Sequence, residues 1–184
     1  MPTMTKDFLV TVGWAMITKF CNTNKIVKPD VHVMDGRPVD GVCGRYYRRH
    51  NKILIWPRAC AALGQGGRSW SVPGYPVDRT PVGVLCHELG HHVDRNPGRP
   101  SRYWPARTRE EPVTSYAPDN GEWFAEMFKL FMTNPDLLRL IRPRTYDLMG
   151  ARWTPIEDRP WNVVLAAFPR QLEAAARRIN KASK

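Results

Sequence analysis

Val84-Leu85-Cys86-His87-Glu88-Leu89-Gly90-His91-His92-Val93-Asp94 decides how the rest of this chain is read. It contains the pattern H-E-x-x-H at His87, Glu88 and His91. Residues four apart on an α-helix share a face, one turn above the other, so the two outer imidazoles can grip one metal ion. Zinc suits neutral imidazole, because it is borderline soft and makes no geometric demand of its own. Glu88, next to the first histidine, can reach a water held on the ion. A Lewis acid, a water and a carboxylate base are what metal-assisted hydrolysis requires. Leu85, Leu89 and Val93 recur at helical spacing, which predicts an apolar stripe and a buried helix. Buried histidines need partners, and a metal ion is one. Gly90 leaves room for a second backbone. Thr80-Pro81 predicts an N-cap with proline at the first helical position, and the helix should end near Asp94 to Arg95, before Asn96-Pro97-Gly98.

A second stretch carries chemistry. Glu122-Trp123-Phe124-Ala125-Glu126-Met127-Phe128-Lys129-Leu130-Phe131-Met132 is apolar nearly all round, so it belongs in the core as a helix. Two carboxylates there, one turn apart on one face, are costly unless paired or bound to metal. A catalytic zinc takes three protein ligands and keeps a fourth position for water. Glu122 and Glu126 are the best candidates for the third ligand, one binding the ion and the other bracing a ligand or the base. Asp94, three residues after His91, is an alternative, better suited to orient a ligand histidine through its ring N–H.

These two segments, H-E-L-G-H-H-V-D from His87 to Asp94 and Ser115-Tyr116-Ala117 followed by Glu122-Trp123-Phe124-Ala125-Glu126, resemble the gluzincin metallopeptidases. The nearest branch holds the anthrax lethal factor catalytic domain and small bacteriophage-encoded relatives. The resemblance covers about residues 81–132. It implies a zincin-like fold and a zinc-dependent endopeptidase, with His87, His91 and Glu122 as ligands and Glu88 as general base. It further implies that Glu126 braces the ligand set and that the Tyr116 phenol stabilises the oxyanion.

The whole chain sets the frame. With 184 residues and 42% hydrophobic content, one α+β domain spanning 1–184 is expected: a helix and sheet in 1–80, the zinc-site core in 81–133 and a helical part in 134–184. Lys6 to Cys21 reads as a helix, ended by Asn22-Thr23-Asn24. Val31 to Met34, Val42 to Arg48 and Lys52 to Trp56 read as strands of a small, mostly antiparallel sheet, with Pro57 closing the last. The strand Lys52 to Trp56 is expected to offer its edge to an extended peptide. Residues 64–81 read as a loop, and Asn96 to Gly121 as a long irregular segment. Short helices are expected over Pro135–Ile141, Pro143–Met149 and Pro160–Phe168, with a basic one over Pro169–Ile179.

The net charge of +11 favours acidic partners: nucleic acid, anionic surfaces or acidic protein segments. It supports an alternative reading, a basic binding module with a structural or inactive zinc. No dense Lys/Arg run with interleaved aromatics supports nucleic-acid binding further. Cys21, Cys43, Cys60 and Cys86 contain no C-x-x-C, and read as thiols in a reducing compartment. The run from Phe8 to Ile17 lacks the flanks of a signal peptide and the length of a membrane span, which implies a cytoplasmic protein, on the resemblance a phage-encoded one in a bacterial host. His32 and His50 read as surface and turn residues.

Overall fold

Thr5 accepts a hydrogen bond from the Phe8 N–H at 3.2 Å and opens the first helix, α1 (Lys6–Thr23). The computed structural model describes residues 5–38, 40–61, 79–95, 99–114, 116–117 and 119–156. Within these the fold is α+β, with six α-helices and one three-stranded sheet. The strands are β1 (Asp30–Val33), β2 (Gly44–Tyr47) and β3 (Lys52–Ile55), and the helices after α1 are α2 (Pro81–Val93), α3 (Pro100–Thr108), α4 (Asn120–Thr133), α5 (Pro135–Ile141) and α6 (Pro143–Arg152). None of these helices is long and apolar enough to cross a membrane.

The sheet has the order β1-β3-β2. It is mixed, where a mostly antiparallel one was expected: β1 runs parallel to β3, with Val33 beside Ile55, and β2 antiparallel to it, with Gly44 beside Ile55. The cause is a double reversal. The chain leaves β1 at the Ile55 end, crosses that end of β3 and enters β2 there. Arg48–His50 and Asn51, which takes φ 47° in the left-handed region, then turn it back. Two reversals make β3 parallel to β1, and β3 slots between the others. Its Ile53 and Ile55 are fully buried. With both sides of β3 paired, the expected free edge at Lys52 to Trp56 does not exist; the edges belong to β1 and β2.

The core lies around α2, which packs on α4, on α1 and on the sheet. Phe20 meets Phe128 edge-on with ring centroids 5.3 Å apart, and Phe124 stacks on Phe128 at 5.9 Å. All three side chains are fully buried, each removing an aromatic surface from water at a gain of about 1.5–3 kcal/mol. Helix α3 occupies part of the stretch expected to be irregular. Its polar and proline-containing sequence hides it, but Pro100 starts it and Trp104 anchors it, packing on Phe124 at 5.7 Å and on Trp153 at 5.9 Å. Helices α1, α2, α5 and α6 begin where the sequence places them. Pro57–Ala59 is a single 3-10 turn closing β3. The loop expected over 64–81, apart from its last residues from Arg79, and the helices expected after Pro160 lie outside the described residues.

Candidate metal centre

Two capped helix starts aim the site. Thr80 caps α2 by accepting from the Gly83 N–H at 3.5 Å, with Pro81 in the first turn. Asp119 caps α4 by accepting from the N–H groups of Gly121 at 2.8 Å and Glu122 at 2.9 Å. The helices then cross at Gly90 and Ala125. A Cβ on Gly90 would lie 2.9 Å from the Ala125 Cα, closer than real Cβ atoms come, so only glycine permits this approach. His87 and His91 stand three residues before and one after Gly90; Glu122 and Glu126 stand in the same positions about Ala125. The backbone contact therefore presents two imidazoles to two carboxylates.

The structure brings His87, His91 and Glu122 together, with one ligand atom from each, all within 4.8 Å of one another. Glu122 Oε2 is 3.1 Å from His87 Nε2, and Oε1 is 3.3 Å from His91 Nε2. The two Nε2 atoms are 3.2 Å apart. Behind them, His87 Nδ1 lies 2.7 Å from Glu126 Oε1. A carboxylate accepts, so Nδ1 carries the proton and the neutral ring turns its Nε2 lone pair toward Glu122 and His91. Three electron-rich atoms then face one point, and Glu122 Oε2 is buried without a hydrogen-bond partner. That arrangement lacks a positive charge. In the metal-free protein a proton supplies it: burial lowers the His87 pKa, but Glu122 and Glu126 more than reverse this and raise it to about 9. A metal ion would supply the same charge, and the donor set of two imidazoles and a carboxylate suits one.

Glu126 is the floor of this arrangement. Its Oε1 also accepts from Lys129 Nζ at 2.6 Å, and both side chains are almost fully buried. Burial pushes the carboxyl up, yet Lys129 and His87 hold it down at about 2. Lys129 escapes a reading based on motifs, although its place three residues after Glu126 is the ordinary spacing of a helical ion pair. Asp94, by contrast, does not reach the site. Its two oxygens accept from the Ser101 N–H at 2.8 Å and Oγ–H at 2.6 Å. No hydrogen bond joins it to His87 or His91 among the described residues. Asp94 caps the first turn of α3 and ties it to α2, because α3 begins six residues on, where the sequence promised no helix.

Glu88 is buried and lines a cleft of about 440 Å³, together with His87, His91, Glu122 and Tyr116. Strand β2 forms its other wall. A Cβ on Gly44 would lie 2.5 Å from Val84 Cγ1 and 3.2 Å from Glu88 Oε1, so glycine lets β2 press against the acid. The Tyr116 ring centroid is 6.0 Å from that of His87. Burial first, then Glu122, Glu88 and Glu126, raise the Tyr116 pKa to about 12, so its phenol keeps its proton at neutral pH. Cys43 lines the neighbouring hollow beside Glu88. A hydrogen bond with Cys60 lowers its pKa, burial opposes this, and Arg79 and Lys6 help bring it to about 7. No disulfide joins any of the four cysteines. His32 and His50 are exposed and do not line the cleft.

Comparison with models of protein families, with curated proteins and with solved structures finds no match.

Proposed function

We propose that this protein is a zinc-dependent endopeptidase of the zincin-like, gluzincin type. The observation that carries the reading is the convergence of His87, His91 and Glu122 from two crossing helices onto one point, in a cleft that also holds Glu88 and Tyr116. No fourth His, Cys, Asp or Glu joins that group among the described residues, which suits a catalytic site with an open position better than a closed structural one. The resemblance of the two motif segments to gluzincins supports the same reading.

His87, His91 and Glu122 would hold the ion, and zinc is the metal best matched to two imidazoles and one carboxylate. When bound, it acidifies water and polarises a carbonyl. Glu88 takes the proton of the attacking water on its carboxylate and returns it to the leaving amine. Tyr116, still protonated, donates a hydrogen bond where charge develops on the carbonyl oxygen, a contribution of about 2–4 kcal/mol by the measure of other oxyanion donors. Glu126 holds the His87 Nδ1 proton and so keeps Nε2 free as a ligand. An extended peptide adds to the outer edge of β2, whose residues wall the cleft.

Glu88→Gln tests the mechanism. The variant should bind zinc as the wild type does and lose peptide hydrolysis by at least about 100-fold, measured by zinc titration and by cleavage of an unbiased peptide library. Wild-type turnover in that variant would defeat the proposal.

A further inference from the structure

The face of α2 that carries His87 and His91 continues, four residues on, to Arg95, just past the helix end. Arg95 lines the same cleft as His91, Glu122 and Tyr116. Its position is set by a chain of contacts. His92 Nε2 lies 2.7 Å from the Val27 carbonyl. A carbonyl only accepts, so Nε2 bears the proton and Nδ1 the lone pair. The Tyr46 hydroxyl, 3.0 Å from Nδ1, therefore donates to it and turns its own lone pairs outward. Arg95 Nη1 donates to that hydroxyl oxygen and to the Arg48 carbonyl, with its guanidinium carbon 5.4 Å from the centre of the Tyr46 ring.

A cation held this firmly beside a reaction centre would ordinarily be neutralised. Arg45, on the same cleft, is: it pairs with Asp40. Arg95 is not. No carboxylate among the described residues forms an ion pair with it, and its buried Nε–H meets no acceptor. The carboxylates that share the cleft do other work, Glu122 facing the two histidines and Glu88 standing against β2. A guanidinium on the cleft with no counter-ion among the described residues matches a carboxylate.

We propose that Arg95 receives a carboxylate of the bound peptide, so that the enzyme selects substrates with an acidic group near the cleaved bond. This rests on the peptidase reading and adds the substrate class to it. The carboxylate comes from an Asp or Glu side chain or from a chain terminus, and the experiment separates the two.

Peptide pools with free and with amidated C-termini are cleaved by the wild type and by Arg95→Gln. The wild type should favour acidic peptides over their Gln or amide counterparts by on the order of 10- to 100-fold in kcat/KM, and Arg95→Gln should lose that preference. Preference that survives amidation assigns the carboxylate to a side chain; preference confined to free ends assigns it to a terminus. A wild type without acid preference, or a variant that keeps it, overturns the inference. Binding of a fluorescent acidic peptide and its Gln counterpart to the Glu88→Gln protein, by anisotropy, gives a readout without turnover. If no peptide is cleaved, the peptidase reading falls, while this binding comparison still decides what Arg95 does. Arg95→Lys covers a Gln variant that does not fold: it keeps the charge and loses the fork, and should retain only part of the preference, whereas full retention would show that no fork is used.

Discussion

The floor and the mouth of the candidate metal centre lie one helical turn apart and meet their charges in opposite ways. At the floor, Glu126 has a permanent cation in Lys129 and an N–H from His87, all out of solvent. At the mouth, Glu122 looks at two ring nitrogens and has one buried oxygen without a hydrogen-bond partner. The chain thus encodes a cation for one glutamate and leaves the other short of one. The lesson is that two identical residues in one helix can serve stability and binding separately, and what separates them is the third residue after the second.

That contrast breaks if both glutamates respond alike to removal. Glu126→Ala leaves Lys129 buried and unpaired and should cost the metal-free protein about 3–5 kcal/mol. Glu122→Ala should cost less than that, because its side chain is open in part to the cleft and leaves no buried cation unpaired, yet it should lose nearly all zinc affinity. Urea unfolding in chelator, alongside competitive zinc titration, measures both; equal destabilisation would erase the distinction.

A pH series sharpens it. Metal-free His87 has its pKa raised to about 9 from 6.5. A raised folded-state pKa stabilises fully below the unfolded value and loses that contribution as pH climbs through the folded one. Metal-free Tm should therefore fall between about pH 6.5 and about pH 9, whereas zinc, which needs the unprotonated ring, should flatten the curve. Parallel curves with and without zinc would contradict the view that the proton and the metal ion supply the same charge.

The crossing that creates both regions can be strained directly. Gly90→Ala forces α2 and α4 apart and should cost about 1–3 kcal/mol as overpacking, with a matching loss of zinc affinity because His87, His91 and Glu122 separate. Stability lost without any change in zinc binding would mean that the two helices need not touch for the site to form. The smallest effect concerns the adjoining hollow. Cys43, with a pKa of about 7, should be the first thiol alkylated by iodoacetamide, with half-maximal rate near pH 7. Cys21, raised by burial to about 11 although Lys28 pulls the other way, should be among the last. Labelling followed residue by residue in mass spectrometry reports the order.

Much of this was readable in advance, and the reasons are local. Histidines four apart, an apolar stripe, a Thr-Pro start and two glutamates on one face are all periodic within a single helix, so α2, α4 and a glutamate facing the two histidines followed from spacing, while the choice of Glu122 over Glu126 came from the resemblance to gluzincins. What failed depended on partners far along the chain. The parallel pairing of β1 with β3 is decided by the route between strands. The offset of Asp94 points it toward His91, but the N–H and hydroxyl of Ser101, in an unforeseen helix, take both its oxygens. Tyr46, His92 and Arg95 act together only because β2 lies against the end of α2, and no pattern in their own neighbourhoods announces it. Gly44 was similarly silent, since its use is the absence of a side chain facing Glu88.

The closeness of Gly44 to Glu88 has a mechanical consequence. The strand that walls the cleft leaves too little room at Gly44 for a Cβ, which would crowd Val84 and Glu88, so no side chain there cushions relative movement of the two. A peptide that added along β2 would stiffen the backing of Glu88 in the same event, and no hinge would be needed to couple the two.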